Sequence, residues 1–360
     1  MRANRYVVAI VGAALAVSFA LPGVASAQDE KWRDAFNAYQ QGNMQQAETL
    51  FREVCAEYED AGVPWGWCHL MLGATLAQRG ASKRQEALAQ LEIAKDLVTE
   101  DQQRFQVNST IAQIHLLDER WAQAISAADE SAQYASGDGL VAVAKTKGQA
   151  YYQQQQWQQA ANELEKAVAG RSGEANLHAW LGRSYFELGR KDEALEELNT
   201  AAQIDRSNRI GLYFAARIYL DNQNYTQAVA MAERAIQAFP QDYNIRNLLG
   251  MAYLGTERYA DAAQQFEVVL GDRPNDPFGV YNLGQAYMAQ EQWGRAVEQF
   301  QKGQNLFEAG SGNQGQLLYD LGMAFEKLGR NEDSLKAFQD SQKINNTATV
   351  QDAIDRVQER

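Results

Sequence analysis

The sequence has 360 residues, enough for two or three ordinary domains or for one long repeat array. It holds 33 lysines and arginines against 46 aspartates and glutamates, so its formal net charge is −13. Binding to nucleic-acid phosphates requires clusters of basic side chains, which excludes so acidic a chain as a general nucleic-acid binder.

The first 27 residues follow the three-part pattern of an export signal. Arg2 and Arg5 supply a positive start, the apolar run Val7–Leu21 follows, and the small residues that end at Ala27 suit a signal peptidase. We therefore expect cleavage before Gln28 and a periplasmic or secreted protein without a membrane span. Cleavage removes two arginines and no acid, so the net charge moves from −13 to −15. An uncleaved membrane anchor is the alternative, but the apolar run is shorter than the ~20 residues that span a bilayer.

From about residue 140 onward, the same residue types return every 34 positions. A small residue is followed by a tyrosine, then by an alanine and an apolar residue. The four series are Gly148, Gly182, Ala216, Gly250 and Gly284; Tyr151, Tyr185, Tyr219, Tyr253 and Tyr287; Ala160, Ala194, Ala228, Ala262 and Ala296; and Leu164, Leu198, Ala232, Phe266 and Phe300. Spacings of three and four place residues on one face of a helix. The pattern predicts a helical hairpin whose small residues lie where its two helices approach closely.

This pattern resembles the tetratricopeptide repeat, whose unit is a pair of helices with small, aromatic and trailing proline positions. Residues 210–240 fit it with Ala216, Tyr219, Ala228 and Pro240. The resemblance covers residues 28–346. It implies an all-α fold, a right-handed superhelical solenoid of about nine helical hairpins. It also implies a protein that binds other proteins and is not an enzyme.

The first three repeats fit the frame less well, and the first two carry both cysteines of the chain. Cys55 lies late in the second helix of repeat one, and Cys68 lies early in the first helix of repeat two. Because those helices are consecutive and antiparallel, we predict a disulfide, worth ~3 kcal/mol in the chain-entropy model. Two buried free thiols are the alternative. A zinc site is not expected, since a structural site needs four ligands and nothing nearby in the sequence completes one.

A search for catalytic or cofactor-binding patterns gives little. The histidines His69, His115 and His178 occupy repeat positions that are used for packing. The segment Gly310–Gly315 matches Gly-x-Gly-x-x-Gly, but a dinucleotide site requires a preceding strand, and Trp293–Phe307 is predicted to be helical. We expect no catalytic residue, no cofactor and no metal.

The chain ends with a displaced repeat and a short charged helix. The ninth repeat starts four residues late because of an insertion in Glu308–Gly315. Residues 347–360 are predicted to form a helix that caps the exposed end of the solenoid, as repeat arrays require for solubility.

In solenoids of this family the first helix of each repeat lines the concave face, so the resemblance implies which side chains face the groove. They occupy the second, fifth, ninth and twelfth positions of each repeat. Arginine, aromatic and methionine residues are frequent there, and these types carry much of the binding energy at protein interfaces. The predicted partner-binding residues are Lys145, Arg183, Phe186, Tyr213, Arg217, Asn247, Met251, Tyr281, Met288 and Tyr319. The alternative is that several of these rings pack between adjacent first helices.

Arg183 and Arg217 occupy equivalent positions of adjacent repeats and need a neutralising charge if they lie side by side. Glu187 and Asp221, each four residues onward, supply that charge internally in one interpretation. An acidic segment of a partner supplies it in the other.

The favoured function is an exported scaffold that holds peptide segments of envelope or secretion partners. Two alternatives remain. One is an accessory subunit of an exopolysaccharide export or envelope enzyme complex. The other is carbohydrate binding, because tyrosines and amides also suit sugars.

Overall fold

The computed structural model describes residues 26–359. The chain divides into two compact units, the first ending at Arg190 and the second beginning at Lys191, and each is described by itself. The predicted export segment, residues 1–27, lies almost wholly outside the described residues, so its cleavage stays a prediction.

Nine consecutive α-helices make up the described part of the first unit. They are α1 (Ser26–Gln40), α2 (Met44–Asp60), α3 (Gly66–Gln78), α4 (Arg84–Leu97), α5 (Asp101–Leu117), α6 (Trp121–Ala132), α7 (Asp138–Gln153), α8 (Trp157–Gly170) and α9 (Ala175–Glu187). A short 3-10 turn, Ala81–Lys83, precedes α4 in the longer second repeat. Consecutive helices pack against each other.

Ten further helices form the described part of the second unit. They are α10 (Lys191–Ile204), α11 (Arg209–Asp221), α12 (Tyr225–Ala238), α13 (Tyr243–Gly255), α14 (Tyr259–Asp272), α15 (Pro277–Ala289), α16 (Trp293–Gly303), α17 (Gly312–Lys327), α18 (Asn331–Ile344) and α19 (Ala348–Gln358). No strand occurs within residues 26–359. The predicted all-α fold of consecutive packed helices is confirmed. Among the described helices, none has the length and apolar character needed to cross a lipid bilayer.

Within a hairpin, the small residue of the first helix lies against a large residue of the second. A Cβ atom added at Gly250 would lie 2.6 Å from Phe266 Cε1, and one added at Gly148 would lie 2.8 Å from Leu164 Cγ. Both large side chains are fully buried. Glycine therefore permits the close approach of the two helices, as the sequence pattern predicts.

The repeated tyrosine of the first helix binds the second helix of the preceding repeat. The Tyr253 hydroxyl donates a 2.7 Å hydrogen bond to Glu233, and the Tyr185 hydroxyl donates a 2.8 Å bond to Glu165. Burial, together with the bond to Glu233, raises the pKa of Tyr253 to about 12. The guanidinium of Arg258 lies 4.0 Å from the centre of the Tyr253 ring. These polar contacts add to the apolar core in joining neighbouring hairpins.

The turns inside the hairpins share one backbone conformation. Each places a residue in the left-handed region, with φ between 57° and 79° at most turns. The residues within that range are Gly42, Glu119, Gln155, Gly189, Gln223, Glu257, Glu291 and Gly329. The turn therefore has the same backbone shape in most repeats, although the residue with positive φ is often not glycine.

The last helix, α19, covers the end of the second unit. Its buried residues Val350, Ala353 and Ile354 cluster with Phe338 of α18. The helix also reaches α17, where Arg356 forms a 2.8 Å ion pair with Glu326.

The Gly310–Gly315 segment joins two helices. The hydroxyl of Ser311 accepts a 3.3 Å hydrogen bond from the Gln314 backbone and so caps the start of α17. The preceding element is α16, which agrees with the expectation that no strand leads into this turn.

Candidate protein-binding surface

In the first unit, Lys145 lies in an ion pair. Its partner is Glu174, the residue that precedes α9. Phe186, the aromatic residue among the predicted groove residues of this unit, is half-buried on α9. Glu174 neutralises the charge of Lys145, so the fold does not need an acidic group from a binding partner at this position.

Arg183 is also held within the first unit. Its Nη1 atom donates a 2.8 Å hydrogen bond to the Tyr152 hydroxyl. Its guanidinium lies 5.3 Å from the Tyr152 ring and 5.4 Å from the Trp157 ring, within the range of cation–π attraction. Its Nε atom lies 3.6 Å from Glu187 Oε1. The internal ion pair of the first interpretation is therefore present at Arg183, and a role in binding stays a prediction.

The equivalent residue of the second unit, Arg217, is exposed on α11. Asp221, its expected partner, lies 3.0 Å from Lys191 Nζ. Tyr213, one turn before Arg217, is half-buried and packs edge-on against Phe214 with ring centres 5.1 Å apart. The two arginines belong to different units, so their proximity stays a prediction.

The second unit contains an open cleft of about 580 Å³ at the starts of α13 and α15. Its lining residues are Tyr243, Asn244, Asn247, Arg273, Pro274, Asn275, Asp276, Pro277 and Phe278. Asn244, Asn247 and Phe278 occupy groove-facing positions of the repeat frame. The cleft therefore lies on the face that the sequence predicts to bind a partner.

Local bonds hold the walls of this cleft in place. Asp276 accepts hydrogen bonds from the backbone of Phe278 (3.0 Å) and Gly279 (3.1 Å) and so fixes the first turn of α15. The guanidinium of Arg273 stacks 3.3 Å from the centre of the Tyr243 ring. Phe278 nevertheless remains 51% exposed. A large apolar side chain thus stands at the edge of a preformed cleft.

A buried carboxylate lies elsewhere in the second unit. Asp320 of α17 is 8% exposed. It accepts hydrogen bonds from the Tyr281 hydroxyl (2.8 Å), from Gln285 Nε2 (2.5 Å) and from Gln316 Nε2 (3.2 Å). No lysine or arginine of the described residues forms an ion pair with it. Neutral donors alone stabilise this charge.

Burial controls the protonation of this cluster. It raises the pKa of the Asp320 carboxyl, an effect that the three hydrogen bonds only partly offset. It also raises the pKa of Tyr281, and the neighbouring charge of Asp320 adds to the increase. The Tyr281 hydroxyl therefore stays protonated and acts as a donor, and α15 is tied to α17.

The remaining groove residues differ in how accessible they are. The Tyr281 ring centre lies 6.0 Å from that of Phe300, and the Tyr319 ring centre lies 5.5 Å from that of Phe338. Both rings are half-buried by these contacts, as is Met288, whereas Met251 is 38% exposed. Phe300 and Phe338 lie on the second helix of the same hairpin, whereas the predicted alternative placed such rings between adjacent first helices.

A family model supports the reading of the repeats. The model of the tetratricopeptide repeat matches residues 145–209, 214–277 and 281–348, which is more than half of the chain. The chain belongs to the tetratricopeptide repeat family. Proteins of this family are scaffolds suited to binding other proteins and are generally not enzymes.

Several solved tetratricopeptide repeat structures match parts of the chain. One from Parabacteroides merdae is 16% identical, with a TM-score of 0.47, and the match covers 71% of this chain and 99% of that one. The C-terminal part of a repeat protein from Cytophaga hutchinsonii is also 16% identical, with a TM-score of 0.52 and coverages of 68% and 99%. YrrB, a tetratricopeptide repeat protein with an unusual peptide-binding site, is 18% identical, with a TM-score of 0.47 and coverages of 53% and 96%. No curated protein sequence matches the chain.

The tetratricopeptide repeat frame does not identify two of the residues described above. Arg273 lines the cleft but follows α14, and Asp320 lies outside the groove-facing positions. Asp320 does carry a signal in the sequence, because it stands among the buried residues Leu317, Leu318 and Leu321. An acid within an apolar helical stripe indicates a buried carboxylate with dedicated donors.

Both cysteines, His69 and His178 are buried in the repeats, and His115 is partly buried. Cys55 of α2 and Cys68 of α3 are joined by a disulfide, with their Cα atoms 5.5 Å apart, and their oxidation in the cell stays a prediction. His178 is 5% exposed, and its Nε2 atom lies 2.8 Å from the Ser172 carbonyl oxygen. Burial lowers the pKa of His115, which favours its neutral form. These environments suit packing roles for His115 and His178.

Proposed function

We propose that this protein is an exported scaffold whose second unit binds a peptide segment of a partner protein. The observation that carries the proposal is the cleft beside Phe278. This aromatic side chain is half exposed, although its neighbours Arg273 and Tyr243 already contact each other. Exposed aromatic residues at the edge of a preformed pocket are the kind of residue that dominates binding energy at protein interfaces.

The polar lining of the cleft suits the backbone of a peptide. Asn244 and Asn247 present side-chain amides, each of which can donate to a carbonyl oxygen and accept from an N–H group. Asn282 Nδ2 donates a 3.3 Å bond to Asn247 Oδ1 and holds that amide in one orientation. An apolar side chain of the peptide would contact Phe278 while the amides bind the adjacent backbone.

The same geometry disfavours a sugar as the ligand. Stacking on a sugar ring requires an open aromatic face, and the rings of Tyr281 and Tyr319 already pack against Phe300 and Phe338. Phe278 packs edge-on against Phe307, with ring centres 5.4 Å apart, and is the exposed ring of the cleft that a sugar would have to use. Carbohydrate binding therefore becomes an outcome of the experiment rather than a second proposal.

The binding proposal is tested with a displayed library of random peptides selected on the full chain. The affinity of a selected synthetic peptide is then measured by calorimetry for the wild type and for Phe278→Ala. The variant should bind at least about tenfold more weakly, as expected for a residue that dominates an interface. Its Tm should stay nearly unchanged because half of the side chain is already exposed.

Val268→Ala is the matched control. Val268 is 42% exposed on α14 and does not line the cleft, so its loss should leave the peptide affinity unchanged. Equal affinities of both variants for every selected peptide would refute the cleft as the binding site. Binding to a glycan array that depends on Phe278 would replace the peptide with a carbohydrate.

The proposed export rests on the N-terminal pattern of Arg2, Arg5 and Val7–Leu21. The intact mass of protein purified from the periplasm or the medium should correspond to a chain that begins at Gln28. A chain that retains residues 1–27, or one that stays in the cytoplasm, would refute export and would leave the peptide-binding proposal standing.

A further inference from the structure

The disulfide of the first unit lies beside a buried histidine. Cys55, Cys68 and His69 each place a possible metal-binding atom within 4.8 Å of the other two. All three residues are buried, with exposures of 4%, 0% and 2%. The sequence alone predicts no zinc here, because a structural site needs four ligands and nothing nearby in the sequence completes one. The fold adds this imidazole to the pair of sulfur atoms.

The hydrogen bonding of His69 leaves one ring nitrogen suited to a metal. Its Nδ1 atom lies 2.9 Å from Gln90 Oε1. An amide oxygen can only accept, so Nδ1 carries the proton and Nε2 has a free lone pair. Nε2 is buried and makes no hydrogen bond. A fixed tautomer with an outer hydrogen bond to the other nitrogen is the usual arrangement of a metal-binding histidine.

A fourth possible ligand comes from the same helix as Cys55. Glu59 follows Cys55 by four residues, so the two side chains share one face of α2. Its Oε1 atom lies 3.3 Å from His69 Nε2, without forming a hydrogen bond. Glu59 is 54% exposed, so its carboxylate can meet an ion from solvent.

We propose that the reduced form of this site binds a zinc ion through Cys55, Cys68, His69 and Glu59. Two sulfurs, one nitrogen and one carboxylate oxygen form a donor set that zinc accepts in tetrahedral geometry. In such a site, two sulfurs at ~2.3 Å from the metal lie about 3.8 Å apart. The disulfide and the zinc site therefore exclude each other, and the cysteine pair has two alternative states.

The change between these states requires a dithiol reductant. Its first thiolate attacks one sulfur of the Cys55–Cys68 bond and forms a mixed disulfide, and its second thiolate closes the reductant's own disulfide. The two cysteine sulfurs gain two electrons in total, and each becomes a thiol after taking up one proton. Zinc then displaces these two protons, because thiolates are the ligands.

The test uses the full chain and cobalt(II) as a spectroscopic probe for zinc. The chain is treated with a chelator and a phosphine reductant under argon and then titrated with cobalt(II). The reduced chain should bind one equivalent and show the thiolate-to-cobalt absorption of a tetrahedral site, which zinc then abolishes. The oxidised chain should show no such absorption.

His69→Gln and His178→Gln form the matched pair of variants, since both histidines are buried but only His69 adjoins the cysteines. His69→Gln should weaken cobalt binding at least about tenfold, and His178→Gln should not change it. Glu59→Gln, at an exposed position that tolerates substitution, should also weaken it. In addition, zinc should slow the alkylation of both cysteines in the reduced wild type, as measured by mass spectrometry.

Two results would overturn the proposal. One is a reduced wild-type chain that binds cobalt no better than the oxidised chain and whose cysteines react equally fast with and without zinc. The other is cobalt binding that is the same in His69→Gln, Glu59→Gln and His178→Gln. Neither result depends on whether the second unit binds a peptide.

Discussion

The two units build similar hairpins with different secondary contacts. In the second unit, the repeats up to Phe300 keep the 34-residue frame and the last one starts four residues late. Glycines there lie against the rings of Phe266, Phe300 and Phe338. In the first unit, Leu91 and Leu164 lie against Gly73 and Gly148, and repeat one has the buried Phe51 at this position. The spacing of the first repeats in this unit is uneven. There a disulfide and clustered charges join the helices as well. Where the 34-residue frame is regular, the same apolar packing returns in each repeat. Where the frame is irregular, a disulfide and ion pairs add to the packing.

The charged cluster of the first unit is centred on Glu48. This carboxylate lies 2.7 Å from Arg79, 2.9 Å from Arg52 and 3.5 Å from Lys83. Burial alone would raise the pKa of Glu48, but the hydrogen bond from Arg52 and the charges of Arg79 and Lys83 lower it overall. Asp320 of the second unit has only neutral partners, and its pKa is raised. One acid is compensated by charge and the other is not.

The largest expected effect concerns the Gly250–Phe266 pair. Phe266→Ala should cost about 3–5 kcal/mol because it opens a cavity in a fully buried site. Gly250→Ala should cost about 1–3 kcal/mol because the added Cβ atom would meet the ring at 2.6 Å. In the double variant the cavity accepts the new methyl group, so the loss should be smaller than the sum by at least about 1 kcal/mol. The free energy of unfolding in urea measures all three.

The preceding repeat supplies the reason to expect this coupling. It has Ala216 and Ala232 at the equivalent positions, which shows that a hairpin accepts two alanines there. Hydrogen exchange should locate the destabilisation in α13 and α14 and leave α2 and α3 unchanged. Strict additivity of the two substitutions would show that Gly250 is not required for the packing of the Phe266 ring.

The hairpins could be predicted from the sequence because their contacts repeat. Gly250 and Phe266 lie 16 residues apart in one hairpin, and the same relation returns at Gly284 and Phe300. A pattern of this kind reports local packing directly. The groove-facing positions followed from the same frame, and two of them, Asn247 and Phe278, line the cleft. That this face binds a partner stays a prediction.

The chemistry of the surface could not be predicted in the same way because it depends on contacts that do not repeat. Arg183 stacks on Tyr152 and Trp157 of the preceding repeat, and no other repeat has all three residues in these places. Asp320 receives donors from both α15 and α17. Most of these contacts join different repeats, and the repeat frame does not determine which polar groups meet.

A smaller effect is expected at Asp320, and it should depend on pH. A carboxyl whose pKa is raised in the folded state stabilises the fold fully below its unfolded pKa, and this contribution is lost as the pH rises through the folded value. At neutral pH the charge is buried without a counter-ion. Asp320→Asn removes the charge and keeps one acceptor oxygen, which can still accept from Tyr281 and Gln285. It should therefore stabilise the protein by about 1–2 kcal/mol at pH 7.5.

The gain should disappear near pH 4, where Asp320 approaches its protonated form. Urea unfolding at both pH values provides the measurement. Glu332→Gln is the control, because Glu332 is an exposed acid of α18 and its loss should have little effect at either pH. A variant at Asp320 that is less stable than the wild type at pH 7.5 would show that the hydrogen bonds to the charged carboxylate outweigh its burial.

The smallest effect tests what the two units have in common. Gln155 in the first unit and Gln223 in the second are exposed turn residues with φ of 59° and 58°. A side chain in this region costs roughly 1–2 kcal/mol, of which part is lost again through the greater freedom of glycine in the unfolded chain. Each Gln→Gly substitution should therefore stabilise by about 0.5–1 kcal/mol. Gly329→Ala should do the reverse, and space plays no part there because an added Cβ atom would have no neighbour within 4 Å.

Tm values of the three variants measure the effect. Equal gains at Gln155 and Gln223 would show that the turn is governed by its own backbone. A gain in one unit alone would mean that the surrounding repeat, regular or irregular, decides the cost of the turn.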